Sequence, residues 1–140
     1  MAPGSAPTGK TKDAGWQIGV SRTVHHQVND VWDALVSPRG IAVWLGDGVR
    51  FAGTEREPYE TADGTVGELR SYRPGDRIRL TWQPAEWAHS STVQIALRDG
   101  GDRTGITFHQ ERLASSEERE RQRAHWQRVA AEVIALLEAT

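Results

Sequence analysis

The spacing of apolar positions changes period several times along the chain. In QIGVSRTVHH, residues 17–26, Ile18, Val20 and Val24 share one parity with Arg22, while Gly19, Ser21, Thr23 and His25 take the other. Such alternation predicts a strand with one buried face. Val31, Trp32, Leu35 and Val36 follow at helical spacing, behind Asn29 or Asp30 as an N-cap. Ser37-Pro38 ends this helix, because the residue before proline avoids the helical region. Pro38 then opens a second short helix, with Ile41, Trp44 and Leu45 on its apolar side and Gly46 at its end. Residues 47–64 predict a short strand around Phe51, then a charged loop through Pro58 with at most a weak strand, closing at the turn Asp63-Gly64.

A meander begins at residue 65. RIRLTW, residues 77–82, puts Ile78, Leu80 and Trp82 on one face; Val93, Ile95 and Leu97 repeat the pattern, and Ile106, Phe108 and Gln110 do so again after the hairpin turn Asp99-Gly100-Gly101-Asp102. In GELRSY the parity is open: either Leu69 faces inward, or Glu68 and Arg70 do, and an inward Glu68 needs a cationic partner such as Arg70 or Arg22. Ser115 and Glu118 form a capping box before one long helix. Its Trp126, Val129, Ala130, Val133, Ile134 and Leu137 make a single apolar stripe. One-sided strands must cover their apolar face, and this helix is the large partner available. The expected fold is α+β: a helix grip, with a curved antiparallel sheet wrapped around a long C-terminal helix and two short helices after the first strand.

The 140 residues fit one domain. Small residues, Pro and Gly dominate residues 1–14, which read as a disordered N-terminal tail and as neither a signal peptide nor an anchor; residues 15–140 are the expected domain. The net charge of −2 gives no field that would draw nucleic acid or an anionic membrane. No apolar run approaches the ~20 residues that cross a bilayer. The absence of cysteine removes disulfides, thiolate nucleophiles and cysteine metal sites. A cytoplasmic location is expected.

The five histidines form no HxH or HExxH spacing, so no metal is expected. There is no GxSxG elbow, GxGxxG or P-loop, and no cofactor is implied. Glu55, Glu57, Glu60 and Asp63 read as a solvated rim. The six tryptophans are the unusual feature. Trp32 reads as a core anchor and Trp44 as a gate at a cavity mouth. Trp82 and Trp126 either fill the space between sheet and helix or line a cavity there. Trp87, in a polar loop, is a lid or an exposed partner contact. His125 lies at the edge of the face that carries Trp126.

The stretch SRTVHHQVNDVWDALVSPRGIAVWLG, with Val31-Trp32 and Trp44-Leu45, resembles the opening of the START-like SRPBCC superfamily. More narrowly it resembles the domains homologous to activators of the heat-shock-protein-90 ATPase. GELRSYRPGDRIRLTW, RTGITFHQERL and HWQRVAAEVIALL extend the resemblance over about residues 16–138. It implies a START/Bet v-like helix grip and no shared catalytic motif. Three roles are expected from it. The first is non-catalytic binding of an apolar or aromatic small molecule, in a cavity lined by Phe51, Tyr72, Trp82, Trp87, Phe108 and Trp126, gated by Trp44, with Gln110 and Arg22 as polar fixing groups. The second is a stress or chaperone-type protein-interaction module or homodimer. The third is a cyclase or dehydratase-like enzyme using Arg22, Gln110 and His125.

Overall fold

The computed structural model describes residues 10–11 and 15–139. Seven antiparallel strands form one sheet: β1 (Lys10–Thr11), β2 (Gly15–Val24), β3 (Pro58–Glu60), β4 (Val66–Arg73), β5 (Arg77–Trp82), β6 (Ser91–Asp99) and β7 (Thr104–Leu113), in the order β1-β2-β7-β6-β5-β4-β3. Helices α1 (Val28–Val36) and α2 (Pro38–Trp44) follow β2, and α3 (Ser116–Glu138) lies against the sheet. This is the expected helix grip. Two residues of the expected tail, Lys10 and Thr11, pair instead with Trp16 and Gly15 of β2. The rest of that tail, residues 1–9 and 12–14, lies outside the described residues.

Alternation places the core. Ile18, Val20 and Val24 of β2, Ile78 and Leu80 of β5, Val93 and Ile95 of β6, and Ile106 and Phe108 of β7 are buried against Trp126, Val129, Ala130, Val133 and Leu137 of α3. Each fully buried aliphatic side chain contributes about 1.5–3 kcal/mol over its exposed state. The open parity in β4 resolves with Leu69 fully buried; Glu68 and Arg70 lie outside and pair with each other at 3.0 Å.

The α1–α2 break follows from its sequence. The Ser37 hydroxyl donates to the Ala34 carbonyl at 2.7 Å and accepts from the Gly40 amide at 3.0 Å, so one side chain closes α1 and caps α2. Two local expectations are corrected. Helix α1 begins at Val28 behind Gln27, so Asn29 and Asp30 lie inside its first turn and do not cap it. No strand forms around Phe51; the short strand of this region is β3. Arg56 at φ 64° and the glycines at 46, 48 and 53, all at positive φ, keep the chain between α2 and β3 irregular.

Candidate functional site

Gln110 is the centre of the polar chemistry inside the fold. Alternation along β7 points it inward, and no part of it reaches solvent. Its Oε1 accepts from the Trp126 indole N–H at 2.8 Å and from Gln122 Nε2 at 2.9 Å. Its Nε2 donates to the Ser91 hydroxyl at 3.0 Å, which donates in turn to the Trp82 carbonyl at 2.8 Å. A buried amide is tolerated only with its partners in place. Gln110 therefore ties β7 to both α3 and β6. Phe108 stacks on Trp126 with ring centroids 5.6 Å apart, filling the space beside it.

Next to this network, the β5–β6 connection covers an aromatic cluster. Trp82 ends β5 and is buried; Trp87 meets it edge-on at 5.1 Å and stacks on His89 at 4.8 Å. His125 of α3 lies 6.1 Å from the Trp82 ring and edge-on to Trp126 at 4.8 Å. Gln83 Nε2 donates to the Trp87 carbonyl at 2.9 Å, and the Trp87 amide donates to the Pro84 carbonyl at 3.0 Å, shaping the loop into a flap. Trp87 is half-buried, as a flap residue is.

Three ring nitrogens in this cluster are buried without a hydrogen bond among the described residues: Trp82 Nε1, His125 Nε2 and His89 Nε2. His89 Nε2 does lie 2.9 Å from Glu118 Oε1, but out of line for a hydrogen bond. That Glu118 oxygen already accepts from the Ala114 amide at 2.9 Å. Burial lowers the His125 pKa to about 4, and the nearby Arg128 charge adds to the effect, so its ring is neutral at neutral pH. The cluster thus presents one obligate donor, the Trp82 N–H, beside a neutral imidazole that serves as donor or acceptor according to its tautomer.

The structure brings five of the nine expected site residues together: Trp82, Trp87, Phe108, Gln110 and Trp126. The other four lie elsewhere. Trp44 is 2% exposed, and its N–H donates to the Leu35 carbonyl at 2.8 Å, so it is a core clamp and not a gate. Trp32 is buried, as expected of the anchor, and meets Tyr72 of β4 edge-on at 5.3 Å, which packs α1 onto the sheet. Phe51 packs edge-on against Tyr59 at 5.8 Å. Arg22 is exposed and bonds to the Ser21 carbonyl. It stands opposite Ile106 while Gln110 stands opposite Ile18, four residues away along both strands, so Arg22, Gln110 and His125 do not converge on one point. Ser91, His89 and Gln122 were not anticipated. Gln122 was signalled: it stands four residues before Trp126, on the extension of the apolar stripe.

The family described as "Activator of Hsp90 ATPase homolog 1-like protein" matches residues 25–138, and the chain belongs to it. In solved structures the fold recurs in DynU16, a protein of the dynemicin biosynthetic locus, with TM-score 0.74 and 23% identity; the match covers 87% of this chain and 47% of that one, so the chain spans about half of DynU16. It recurs in the Aha1 dimer of Colwellia psychrerythraea, with TM-score 0.70 and 12% identity over 87% of this chain and 96% of that one. At these identities the likeness is one of fold. A stretch of 75 residues, 53% of the chain, is 37% identical to part of the aspartate–tRNA(Asp/Asn) ligase of Rubrobacter xylanophilus, and spans 12% of that enzyme's length. The fold is consistent with small-molecule binding and with protein interaction.

Proposed function

We propose that this member of the Hsp90-ATPase-activator-homologue family binds a small aromatic molecule bearing a hydroxyl or keto oxygen, without catalysis, beneath the β5–β6 flap. The observation that carries the reading is the pair of buried nitrogens, Trp82 Nε1 and His125 Nε2, in one aromatic cluster, neither with a hydrogen-bond partner among the described residues. A buried polar group without a partner costs about 1–3 kcal/mol, and a ligand oxygen accepting from Trp82 recovers it. A ligand hydroxyl also donates to the neutral His125. Trp87 is the lid: its ring is held by contacts with Trp82 and His89 that a planar ligand reproduces. The Gln110 network below it, in which both the amide oxygen and the amide nitrogen already have partners, forms the floor.

Titration with 2-naphthol and with naphthalene, followed by tryptophan fluorescence, tests the reading. The expected result is saturable binding with 2-naphthol about ten-fold tighter than naphthalene, the worth of one hydrogen bond in a buried site. Equal affinities, or no saturable response to a panel of phenols and aromatic ketones, would overturn it.

A protein partner or second copy is the alternative, and one surface favours it. Val43 of α2 and Ala135 and Leu136 of α3 line a groove of about 370 Å³ on the helical side. Sedimentation equilibrium that finds only monomer up to ~100 μM would exclude self-association of useful strength.

A further inference from the structure

The face of the sheet turned away from α3 carries a groove of a different chemistry. Its volume is about 490 Å³, and every residue that lines it is an arginine, a serine or a threonine. Three arginines reach it from three strands: Arg70 of β4, Arg79 of β5 and Arg112 of β7. Thr81, Ser90 and Thr92 add hydroxyls. No carboxylate and no apolar side chain lines it, on a chain whose net charge is −2.

Backbone irregularities put two of these arginines there. Between β4 and β5 the register advances from Leu69↔Leu80 to Ser71↔Arg79, so Arg70 is the extra residue of a bulge. Between β2 and β7 it runs from Trp16↔Leu113 to Ile18↔Gln110, which leaves one extra residue in the Glu111–Arg112 step. Arg112 also sits at φ 65°. A left-handed conformation is unfavourable for a non-glycine residue. By alternation from Gln110, Arg112 would point into the core; the bulge turns it outward. Bulges re-aim side chains, and strain of this kind concentrates at functional positions.

The three guanidiniums differ in commitment. Arg70 pairs with Glu68 at 3.0 Å, and Arg79 pairs with Glu111 at 2.5 Å and donates to Gln94 at 3.2 Å. Those ion pairs hold the two side chains in place. Arg112 has no side-chain hydrogen bond or ion pair among the described residues. The Thr81 hydroxyl accepts from the Glu68 amide at 2.9 Å and keeps its own proton to donate.

We propose that this outer groove is a binding site for a tetrahedral oxoanion, as carried by a phosphate or sulfate ester, with Arg112 as the principal cation and Arg70, Arg79 and the threonine hydroxyls as further donors. A group with acceptors on every side suits a wall rich in guanidinium and hydroxyl donors, and guanidinium forks match its paired oxygens. The proposal does not rest on the interior site, although Ser91, whose hydroxyl serves Gln110 there, also lines this groove.

Calorimetric titration at low ionic strength with inorganic phosphate, pyrophosphate, sulfate and acetate tests the proposal. Saturable binding of the tetrahedral anions is expected, with acetate weaker. Pyrophosphate tighter than sulfate would point to phosphate esters, and sulfate equal to phosphate would extend the class to sulfate esters. Arg112→Gln should weaken pyrophosphate about ten-fold. Arg112→Gly relieves the backbone strain while removing the guanidinium, and should weaken it equally. Arg123→Gln, on the exposed side of α3, should leave it unchanged. The site is excluded by no saturable heat at about 10 mM of any anion, by acetate binding as tightly as phosphate, by undiminished binding in both Arg112 variants, or by an equal loss in Arg123→Gln.

Discussion

The indole N–H of Trp126 and the side-chain oxygen of Gln110 meet at 2.8 Å in an interior closed to solvent, joining the middle of α3 to β7. The same oxygen serves Gln122, and the same amide serves Ser91. Gln110→Leu keeps roughly the volume and orphans the Trp126 N–H and the Gln122 amide, while the Ser91 hydroxyl keeps its bond to the Trp82 carbonyl. Because each buried orphan costs about 1–3 kcal/mol, the variant should lose about 3–5 kcal/mol. Urea denaturation checks this. Trp126→Phe removes one donor and leaves Gln122 on the oxygen, so it should cost clearly less than Gln110→Leu. The double variant should fall short of the sum, because the two residues share one network.

Trp32 is buried as the expected anchor, but Trp44, expected as a gate, is buried in the core as well. Trp44 is pinned by its bond to the Leu35 carbonyl at 2.8 Å, whereas Trp32, also in the core, meets half-buried Tyr72 edge-on. Trp44→Phe opens a cavity and orphans that carbonyl, a loss of about 2–4 kcal/mol. Trp32→Phe retains an aromatic contact with Tyr72 and should cost about 1 kcal/mol. Thermal unfolding of the two variants ranks them; a larger loss from Trp32→Phe would contradict this assignment.

The fold was legible because it is written in periods. Ile78, Leu80 and Trp82 at period two and the Trp126–Leu137 stripe each admit one face. The site was legible only in part, because indole direction is a tertiary property. Nothing local tells that Trp44 finds a carbonyl nine residues back while the Trp82 N–H finds no hydrogen-bond partner among the described residues. The bulges are equally silent in sequence. Strict alternation assigns Arg112 to the inner face, and only the register against β2 shows that it is turned out. The same holds in β4, where the bulge at Arg70 lets Leu69 and Tyr72, three apart, stand opposite Leu80 and Ile78 on one face.

His125 gives the stability a pH dependence of known sign. Its folded pKa is lowered to about 4 by burial, below the ordinary value of 6.5. The unfolded chain therefore binds the proton first. The stabilisation is complete above pH 6.5, falls as the pH drops towards 4, and is gone below that. His109, also lowered by burial, acts in the same direction. The His125 part amounts to about 3 kcal/mol over the window. His125→Gln should flatten the slope of unfolding free energy between these limits. An unchanged slope would mean that His125 is protonated in the native state.

The tightest steric constraint lies where α1 meets α2. A Cβ on Gly40 would sit 1.8 Å from the Ala34 carbonyl oxygen and 2.9 Å from its carbon, both backbone atoms of α1. Neither can move aside without shifting a helix. The same carbonyl accepts the Ser37 hydroxyl at 2.7 Å, so displacing it also loosens the cap of α2. Gly40→Ala should therefore cost about 3 kcal/mol or more, although alanine is the better helix former. Gly48 is the contrast. It has open space around it but a φ of +86°, so Gly48→Ala meets only backbone strain, about 1–2 kcal/mol. Chemical denaturation should rank Gly40→Ala well above Gly48→Ala. The loss at Gly40 should come with a change in near-ultraviolet circular dichroism, since Trp44 rides on α2 and reports its displacement through its bond to Leu35. Equal losses at the two glycines would show that α2 can slide away from α1, and that the close approach of Gly40 to Ala34 does not fix the angle between them.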